Sequence, residues 1–78
     1  MKELIEYIAR SLVDDPTQVK VIQNRRGHEI NLKLFVAKED MGRVIGKHGK
    51  VANAMRTLLN VSAVRLGRKA SLDVEDPR

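Results

Sequence analysis

The residues with the clearest capacity for chemistry lie in one short segment, Gly46-Lys47-His48-Gly49, directly before a helix-like run. Glycine lacks a Cβ, so its backbone can approach a ligand closely and adopt positive φ angles. The N-terminus of a helix adds free N–H groups and a partial positive charge, both of which favour an anion. Lys47 and Lys50 add full charges, and His48 adds a hydrogen-bond donor. This combination predicts a cradle for successive phosphates of a nucleic-acid strand.

The residues on either side of this loop extend the predicted site. Arg43 lies just upstream and adds a further cation. Ile45 and Val51 flank the loop and would form an apolar floor for bases. A structural alternative stays open, in which Gly46 only ends one helix and Gly49 only eases entry to the next.

No catalytic residue, metal ligand or cofactor site is predicted. His28 follows a glycine in a turn, and His48 has no acidic or histidine partner at metal-ligand spacing. The chain has no cysteine, which excludes thiolate ligands and a cysteine nucleophile. The spacing of Gly42, Gly46 and Gly49 fits neither the ATP-binding loop nor the dinucleotide fingerprint.

The basic charge is concentrated around the loop. Residues 1–19 carry two positive and four negative groups, residues 20–69 carry twelve and three, and residues 70–78 carry one and three. A concentrated basic field attracts polyanions. With Tyr7 and Phe35 as its only aromatic residues, the chain cannot build a base-stacking platform. Binding would therefore depend on backbone, charge and aliphatic surface.

Hydrophobic periodicity predicts the elements that position the loop. They are a helix over 2–13, a short strand over 19–21, a turn over 24–27, a strand over 29–37, helices over 40–45 and from 50 to 59 or 64, a strand over 69–75 and a short acidic tail over 75–78. The apolar face of the longer of the last two helices is predicted at Val51, Ala54, Met55, Leu58 and Leu59.

This order, α-β-β-α-α-β, predicts one α+β domain over 1–78, an α/β sandwich with three helices on one face of a three-stranded sheet. A two-helix crossover favours a parallel neighbour, so the sheet should be mixed, with strands 29–37 and 69–75 parallel. The start of the chain lacks a long apolar segment, which predicts neither a signal peptide nor a membrane span, so no membrane partner is expected.

The run V-I-G-K-H-G-K resembles the VIGxxG loop of KH domains, and the element order resembles their type II form. The longer run G-K-H-G-K-V-A-N-A-M-R-T-L-L is similar to the small bacterial single-domain KH proteins of the KhpA (YlqC-like) family. This resemblance implies a clamp at residues 46–49 that holds about four nucleotides of single-stranded RNA or DNA. It also implies that Arg65, Arg68 and Lys69 close the groove and contact phosphates.

The same resemblance implies partners and a biological setting. It implies a cytoplasmic RNA-binding protein that pairs with itself or with KhpB (Jag/EloR), and a role in RNA regulation, RNA chaperoning and cell shape. One residue departs from the KH pattern: Ala52 stands where many KH domains have a larger aliphatic side chain. It should make a shallower contact, so weak base selectivity is expected.

Two other function classes stay open. Helices 40–45 and 50–62 mimic a helix-turn-helix, in which Asn53, Arg56 and Asn60 would face duplex DNA. The chain could instead be a protein-interaction module that binds no RNA. Tighter binding to duplex than to single strands would favour the former, and absence of RNA binding with a protein partner still bound would favour the latter.

Overall fold

Three helices and three strands follow one another in the predicted order in the computed structural model, which describes residues 1–76. The helices are α1 (Lys2–Leu12), α2 (Met41–Ile45) and α3 (Lys50–Arg65), and the strands are β1 (Lys20–Arg26), β2 (Glu29–Phe35) and β3 (Lys69–Glu75). Short 3₁₀ turns occupy Pro16–Gln18, Lys38–Asp40 and Lys47–Gly49. Across residues 1–76, none of the helices combines the length and hydrophobicity that a transmembrane span requires.

The sheet has the strand order β1-β2-β3 and is mixed, as predicted. β1 pairs with β2 in the antiparallel sense, with Lys20 opposite Phe35. β2 pairs with β3 in the parallel sense, from Glu29 opposite Lys69 to Phe35 opposite Glu75. The crossover between these parallel strands runs through α2 and α3, so it carries the glycine loop past one edge of the sheet. The predicted α+β fold class is confirmed.

The core lies between the helices and one face of the sheet. Its largest fully buried side chains come from α1, β2, α2, α3 and the residue after β2: Ile5, Leu32, Leu34, Val36, Val44, Met55 and Leu59. On α3 the buried residues are Ala52, Met55, Leu59 and Ala63. The predicted apolar face of α3 was wrong at Ala54 and Leu58, which are exposed. Ala52 and Ala63 are buried on this helix instead.

The β1–β2 hairpin is longer than predicted. The predicted turn over 24–27 was wrong for its first three residues, which belong to β1 and pair with Glu29, Ile30 and Asn31. The turn itself is Gly27-His28, with Gly27 at φ +59°. A two-residue turn leaves every flanking residue free to pair, so the strands extend to its edge.

The predicted acidic tail over 75–78 overlaps the last strand. Glu75 is the final residue of β3 and lies opposite Phe35 on β2, so it belongs to the sheet. Asp76 follows the strand. Residues 77–78 of the predicted tail lie outside the described residues.

A buried carboxylate fixes the start of α2. Asp40 is 2% exposed, and its two carboxylate oxygens accept hydrogen bonds from the amides of Asp14 (3.1 Å) and Asp15 (3.2 Å). The Arg43 Nε lies 3.5 Å from one of the same oxygens. A buried charge is stable only when it is paired and hydrogen-bonded, and Asp40 meets both conditions. The chain after α1 is thereby tied to the helix that leads into the glycine loop.

Candidate nucleic-acid interface

The loop of Gly46 to Gly49 lies at the surface between α2 and α3. Lys47 and His48 are exposed, whereas the two glycines are half-buried. The Gly46 amide donates to the Gly42 carbonyl (2.9 Å) and closes α2. The Gly49 amide donates to the Gly46 carbonyl (3.1 Å), which closes the loop on itself. The loop therefore leads directly into the first turn of a 16-residue helix.

Three of the four loop residues have positive φ angles: Gly46 at +78°, His48 at +57° and Gly49 at +75°. A positive φ is routine for glycine but uncommon for a side-chain-bearing residue such as His48. Backbone of this kind persists only where the surrounding structure holds it, and it clusters at ligand-binding sites.

The two glycines are required for different reasons. A Cβ added at Gly46 would lie 2.8 Å from the Val51 Cβ and 2.9 Å from the Val51 amide nitrogen. A Cβ at Gly49 would meet nothing closer than the Asn53 amide group at 3.8 Å. The missing side chain at Gly46 serves the packing of the loop against its own helix. The missing side chain at Gly49 leaves open space at the surface.

A groove opens beside the loop, between the helices and the last strand. Its volume is about 440 Å³. The helical wall is formed by Ile45, Gly49, Ala52 and Arg56, and the opposite wall by Asp73, Val74 and Glu75 of β3. A second depression of about 550 Å³ shares Val74 and Glu75 with this groove and continues along the end of the sheet.

The groove faces the free edge of β3. The Lys69 amide donates to the His28 carbonyl, and the Glu75 carbonyl accepts from the Val36 amide, so these two β3 residues direct their backbone groups toward β2. In a parallel strand the intervening residues turn theirs outward. Leu72 is one of these, and its carbonyl accepts a hydrogen bond from the Arg56 Nε (3.2 Å). Main-chain groups of β3 thus line the groove.

The two rims of the groove have opposite charges. Lys47 and Lys50 lie exposed on the loop side. Asp73 and Glu75 lie on the strand side, where the Lys33 Nζ is 3.9 Å from the Glu75 carboxylate. A polyanion therefore meets attraction on one rim and repulsion on the other.

Arg43, predicted as a phosphate contact, lies near the loop but has partners of its own. Its Nη2 is 3.0 Å from the Asp14 carboxylate, and its Nε is 3.5 Å from the Asp40 carboxylate. The guanidinium joins α2 to the segment that follows α1. A phosphate would have to compete with these two carboxylates for it.

The structure brings most of the predicted site residues together at one end of the molecule. Ile45 lines the groove, and Gly46, Lys47, His48, Gly49 and Lys50 form the loop and the start of α3. Val51 is half-buried and lies beneath the loop against Gly46, so it supports the loop instead of lining the groove.

The remaining predicted residues lie at the opposite end of α3, which is about 24 Å long at 16 residues. Arg65 lies on the exposed face of that helix, beside Val61 and Val64. The Arg68 guanidinium reaches the Gly27 carbonyl at 3.5 Å. Lys69 begins β3, opposite Glu29. These three cations neither adjoin the loop nor converge on one point.

Sequence reasoning missed most of the groove. Arg56, Asp73, Val74 and Glu75 line it, but the predicted site included none of these four residues. A usable signal was present on the helix, since Gly49, Ala52 and Arg56 are spaced by three and four residues and share one face.

Two of the three polar side chains that the helix-turn-helix interpretation directs at duplex DNA, Asn53 and Arg56, have partners within the fold. The Arg56 Nη1 donates to the Asn53 Oδ1 (3.0 Å), while its Nε bonds the Leu72 carbonyl. α3 therefore directs Arg56 to the sheet and not to an approaching duplex. Within residues 1–76, no three His, Asp or Glu side chains are grouped closely enough to hold a metal ion.

Residues 2–74 match the family model described as KhpA/KhpB, KH domain. The chain is similar to proteins named RNA-binding protein KhpA from several bacteria. That of Halalkalibacterium halodurans is 42% identical over 76 residues, 97% of this chain and all of the relative. That of Treponema pallidum is 51% identical over 76 residues, 96% of this chain and 94% of the relative. That of Chlamydia pneumoniae is 40% identical over the full length of both.

The chain is also similar in fold to a solved structure. It is the crystal structure of Era in complex with MgGDPNP and nucleotides 1506–1542 of 16S ribosomal RNA, with a TM-score of 0.57 and 20% sequence identity. The likeness covers 96% of this chain but only 29% of the Era chain. It shows the shared architecture of one part of that larger protein.

Proposed function

Because the chain belongs to the KhpA/KhpB family of KH domains, we propose that it is a single-stranded RNA-binding protein whose loop 46–49 clamps the backbone of about four nucleotides. The observation that carries the proposal is the position of this loop. It is exposed, it precedes α3, and it borders a groove with main-chain edge groups on its far wall. The proteins named RNA-binding protein KhpA support the choice of RNA.

The phosphates of the strand would lie on the loop. The first turn of α3 leaves amide groups without intrahelical partners, and these N–H groups favour anions. Lys47 and Lys50 add charge on the same rim, and the bare surface at Gly49 lets the strand approach the backbone. His48 adds a ring donor in a constrained backbone conformation.

The bases would point away from the loop toward β3. Ile45 and Ala52 offer an apolar surface, and the outward main-chain groups of Val74 match the donors and acceptors on base edges. Asp73 and Glu75 on the far rim repel phosphate, so the charge pattern of the groove orients the strand. The small side chain of Ala52 offers little shape discrimination, which supports weak base selectivity.

Pairing of two domains would raise the affinity of such a short site. One four-nucleotide clamp binds weakly, but a second clamp on the same RNA acts at a high effective concentration. α3 carries an exposed apolar row on the face turned away from the sheet, formed by Leu58 (47% exposed), Val61 (52%) and Val64 (72%). This row supports pairing with a second copy or with KhpB. The pair would act in RNA regulation or chaperoning. Sedimentation of the wild type and of Leu58→Asp tests the surface: a monomeric wild type at micromolar concentration, alone and with KhpB, contradicts the pairing.

Fluorescence anisotropy with matched oligonucleotides tests the RNA proposal. A labelled single-stranded RNA, the same sequence as single-stranded DNA and the corresponding DNA duplex are titrated at two salt concentrations. The expected order is single strands above duplex, with affinity that falls as salt rises. Tighter binding to the duplex would support the helix-turn-helix alternative. No binding to any of the three would leave the protein-interaction alternative.

A further inference from the structure

The end of the molecule opposite the glycine loop is more basic than the loop. Segments 25–30 and 64–70, the hairpin turn region and the α3–β3 connection, hold five Lys or Arg residues against one Glu, a net charge of +4. Segment 41–53 around the loop holds three Lys or Arg and no acid, and one of the three is the ion-paired Arg43. Much of the positive charge available to a polyanion therefore lies about one α3 length from the clamp.

Two of these cations border a single cavity of about 310 Å³. Arg25 and Arg68 lie on its rim, and its remaining lining residues are Met1, Gln23, Ile30 and Leu66. Arg25 reaches the helix side of the sheet because it lies opposite the buried Ile30 in the register. Among residues 1–76, no carboxylate lies within 4.0 Å of either guanidinium in an ion pair.

The chemistry of this cavity suits one nucleotide. Guanidinium planes bind phosphate through paired donors and also stack on bases. Ile30 and Leu66 give an apolar wall, and the Gln23 amide both donates and accepts hydrogen bonds, as base edges do. A volume near 310 Å³ lies at the lower end of the range for ligand pockets, which fits a single small planar group.

We propose that the Arg25–Arg68 cavity holds a nucleotide of the same RNA strand, beyond the four nucleotides that the glycine loop clamps. This inference rests on the proposed RNA-binding function. The groove and the cavity share an element: β3 forms one wall of the groove at residues 73–75, and Arg68, which borders the cavity, directly precedes its first residue, Lys69. A strand that leaves the groove toward the start of β3 would reach Arg68 and then turn across the sheet toward Arg25 on β1. The RNA footprint is then longer than a single clamp.

Length dependence of RNA binding tests the proposal. A tetranucleotide and a dodecanucleotide RNA are titrated with the wild type and with the Arg25→Ala/Arg68→Ala variant. The dodecanucleotide should bind the wild type more tightly, and the variant should lose at least about fivefold for it while binding the tetranucleotide unchanged. The slope of log affinity against log salt for the dodecanucleotide should fall by about 1.4, since each single-strand phosphate contact contributes about 0.7. Unchanged tetranucleotide binding also shows that the variant is folded.

Arg10→Ala/Lys20→Ala is the matched control, because it removes two positive charges from other surfaces. An equal loss of dodecanucleotide affinity in this control would show a general field effect and overturn the cavity proposal. Equal losses for both RNA lengths in the Arg25/Arg68 variant, or no loss for either, would overturn it as well. Equal affinity of the wild type for both RNAs would overturn the cavity proposal but would not contradict the clamp at the glycine loop. A wild type that binds neither overturns the proposed function and the cavity together.

A direct readout comes from amide chemical shifts. The dodecanucleotide should shift the resonances of Gln23, Ile30 and Leu66, whereas the tetranucleotide should shift only those of the loop and groove. Shifts at the cavity with the tetranucleotide alone would mean that the cavity is not an extension of the strand path.

Discussion

The side chain of Val51 occupies the space that a Cβ at Gly46 would need. Both residues belong to the predicted site, Gly46 in the clamp and Val51 in its apolar floor, yet this contact is internal to the protein. It holds the end of α2 against the first turn of α3, and it fixes where the loop reverses. The glycine pair therefore combines one position that shapes the loop with another, Gly49, that leaves room at its surface.

Alanine at each glycine should separate stability from binding. Gly46→Ala places a side chain at φ +78° and ψ 171° and against Val51, so the free energy of unfolding should fall by about 3 kcal/mol. Gly49→Ala strains only the backbone, at a cost of about 1 kcal/mol, but its methyl group intrudes on the proposed RNA surface. Urea unfolding and anisotropy measure the two effects. Equal stability losses in both variants would contradict the distinction between them.

Reversal of charge on the loop should weaken RNA binding without unfolding the domain. Lys47→Asp/His48→Asp places carboxylates on two exposed side chains at the phosphate rim, so affinity for a tetranucleotide should fall at least about tenfold. Lys2→Asp/His28→Asp is the control of the same residue types away from the groove. Anisotropy and circular dichroism decide the result, and normal affinity in a folded loop variant would remove the loop from the site.

Removal of the acidic rim should raise RNA affinity. Asp73→Asn/Glu75→Gln eliminates two negative charges beside the groove, and binding at low salt should strengthen about threefold. The gain should vanish at high salt, because these exposed charges are screened. Glu3→Gln/Glu39→Gln makes the same charge change at two other exposed positions. If the affinity of that control for RNA rises as much, the position of Asp73 and Glu75 beside the groove is not the cause of the effect.

Arg56 should stabilise the groove as well as border it. Arg56→Ala removes a hydrogen bond from a charged group to the Leu72 carbonyl, and the free energy of unfolding should fall by about 1–2 kcal/mol. Arg65→Ala on the exposed face of the same helix is the control, with a change below about 0.5 kcal/mol. Denaturant unfolding compares them, and a similar effect at both positions would argue against the bond across the groove.

Asp40 should be sensitive to loss of charge alone. Asp40→Asn keeps the shape of the side chain but turns an NH₂ group toward one of the two backbone N–H groups that donate to the carboxylate. The free energy of unfolding should fall by about 1–3 kcal/mol. Its exposed neighbour Glu39 provides the control, since Glu39→Gln should change stability by less than about 0.5 kcal/mol. Thermal and urea unfolding measure both, and a stable Asp40→Asn variant would show that the buried charge is dispensable.

The fold was predictable because each element carries its own signal. Alternation along β2 and the two-helix crossover were sufficient for a mixed sheet with parallel β2 and β3. The hairpin turn was misplaced because Asn24-Arg25-Arg26-Gly27 has turn-like composition throughout. The first three of these residues extend strand β1 instead, because a two-residue turn at Gly27 lets the strand pairing continue to its edge, and Asn24 pairs with Asn31.

The loop side of the candidate site could be predicted from the sequence, whereas the strand side could not. The residues from Gly46 to Gly49 are consecutive in the sequence, so their spacing alone indicates the loop. Asp73, Val74 and Glu75 join the groove only because β3 returns beside β2, a contact across more than twenty residues of chain. Arg68 was assigned to the clamp by resemblance, whereas the length of α3 places it at the other end of the molecule.

The groove joins segments 45–56 and 73–75, which are neighbours only while β3 is docked on the sheet. RNA that spans both walls would bind only the native state, and it would therefore stabilise the whole folded domain against unfolding. At a concentration one hundred times the dissociation constant, such a ligand adds about 2.7 kcal/mol to the free energy of unfolding. For a domain of 78 residues with a thin core, the supply of RNA would then govern how long each molecule survives proteolysis.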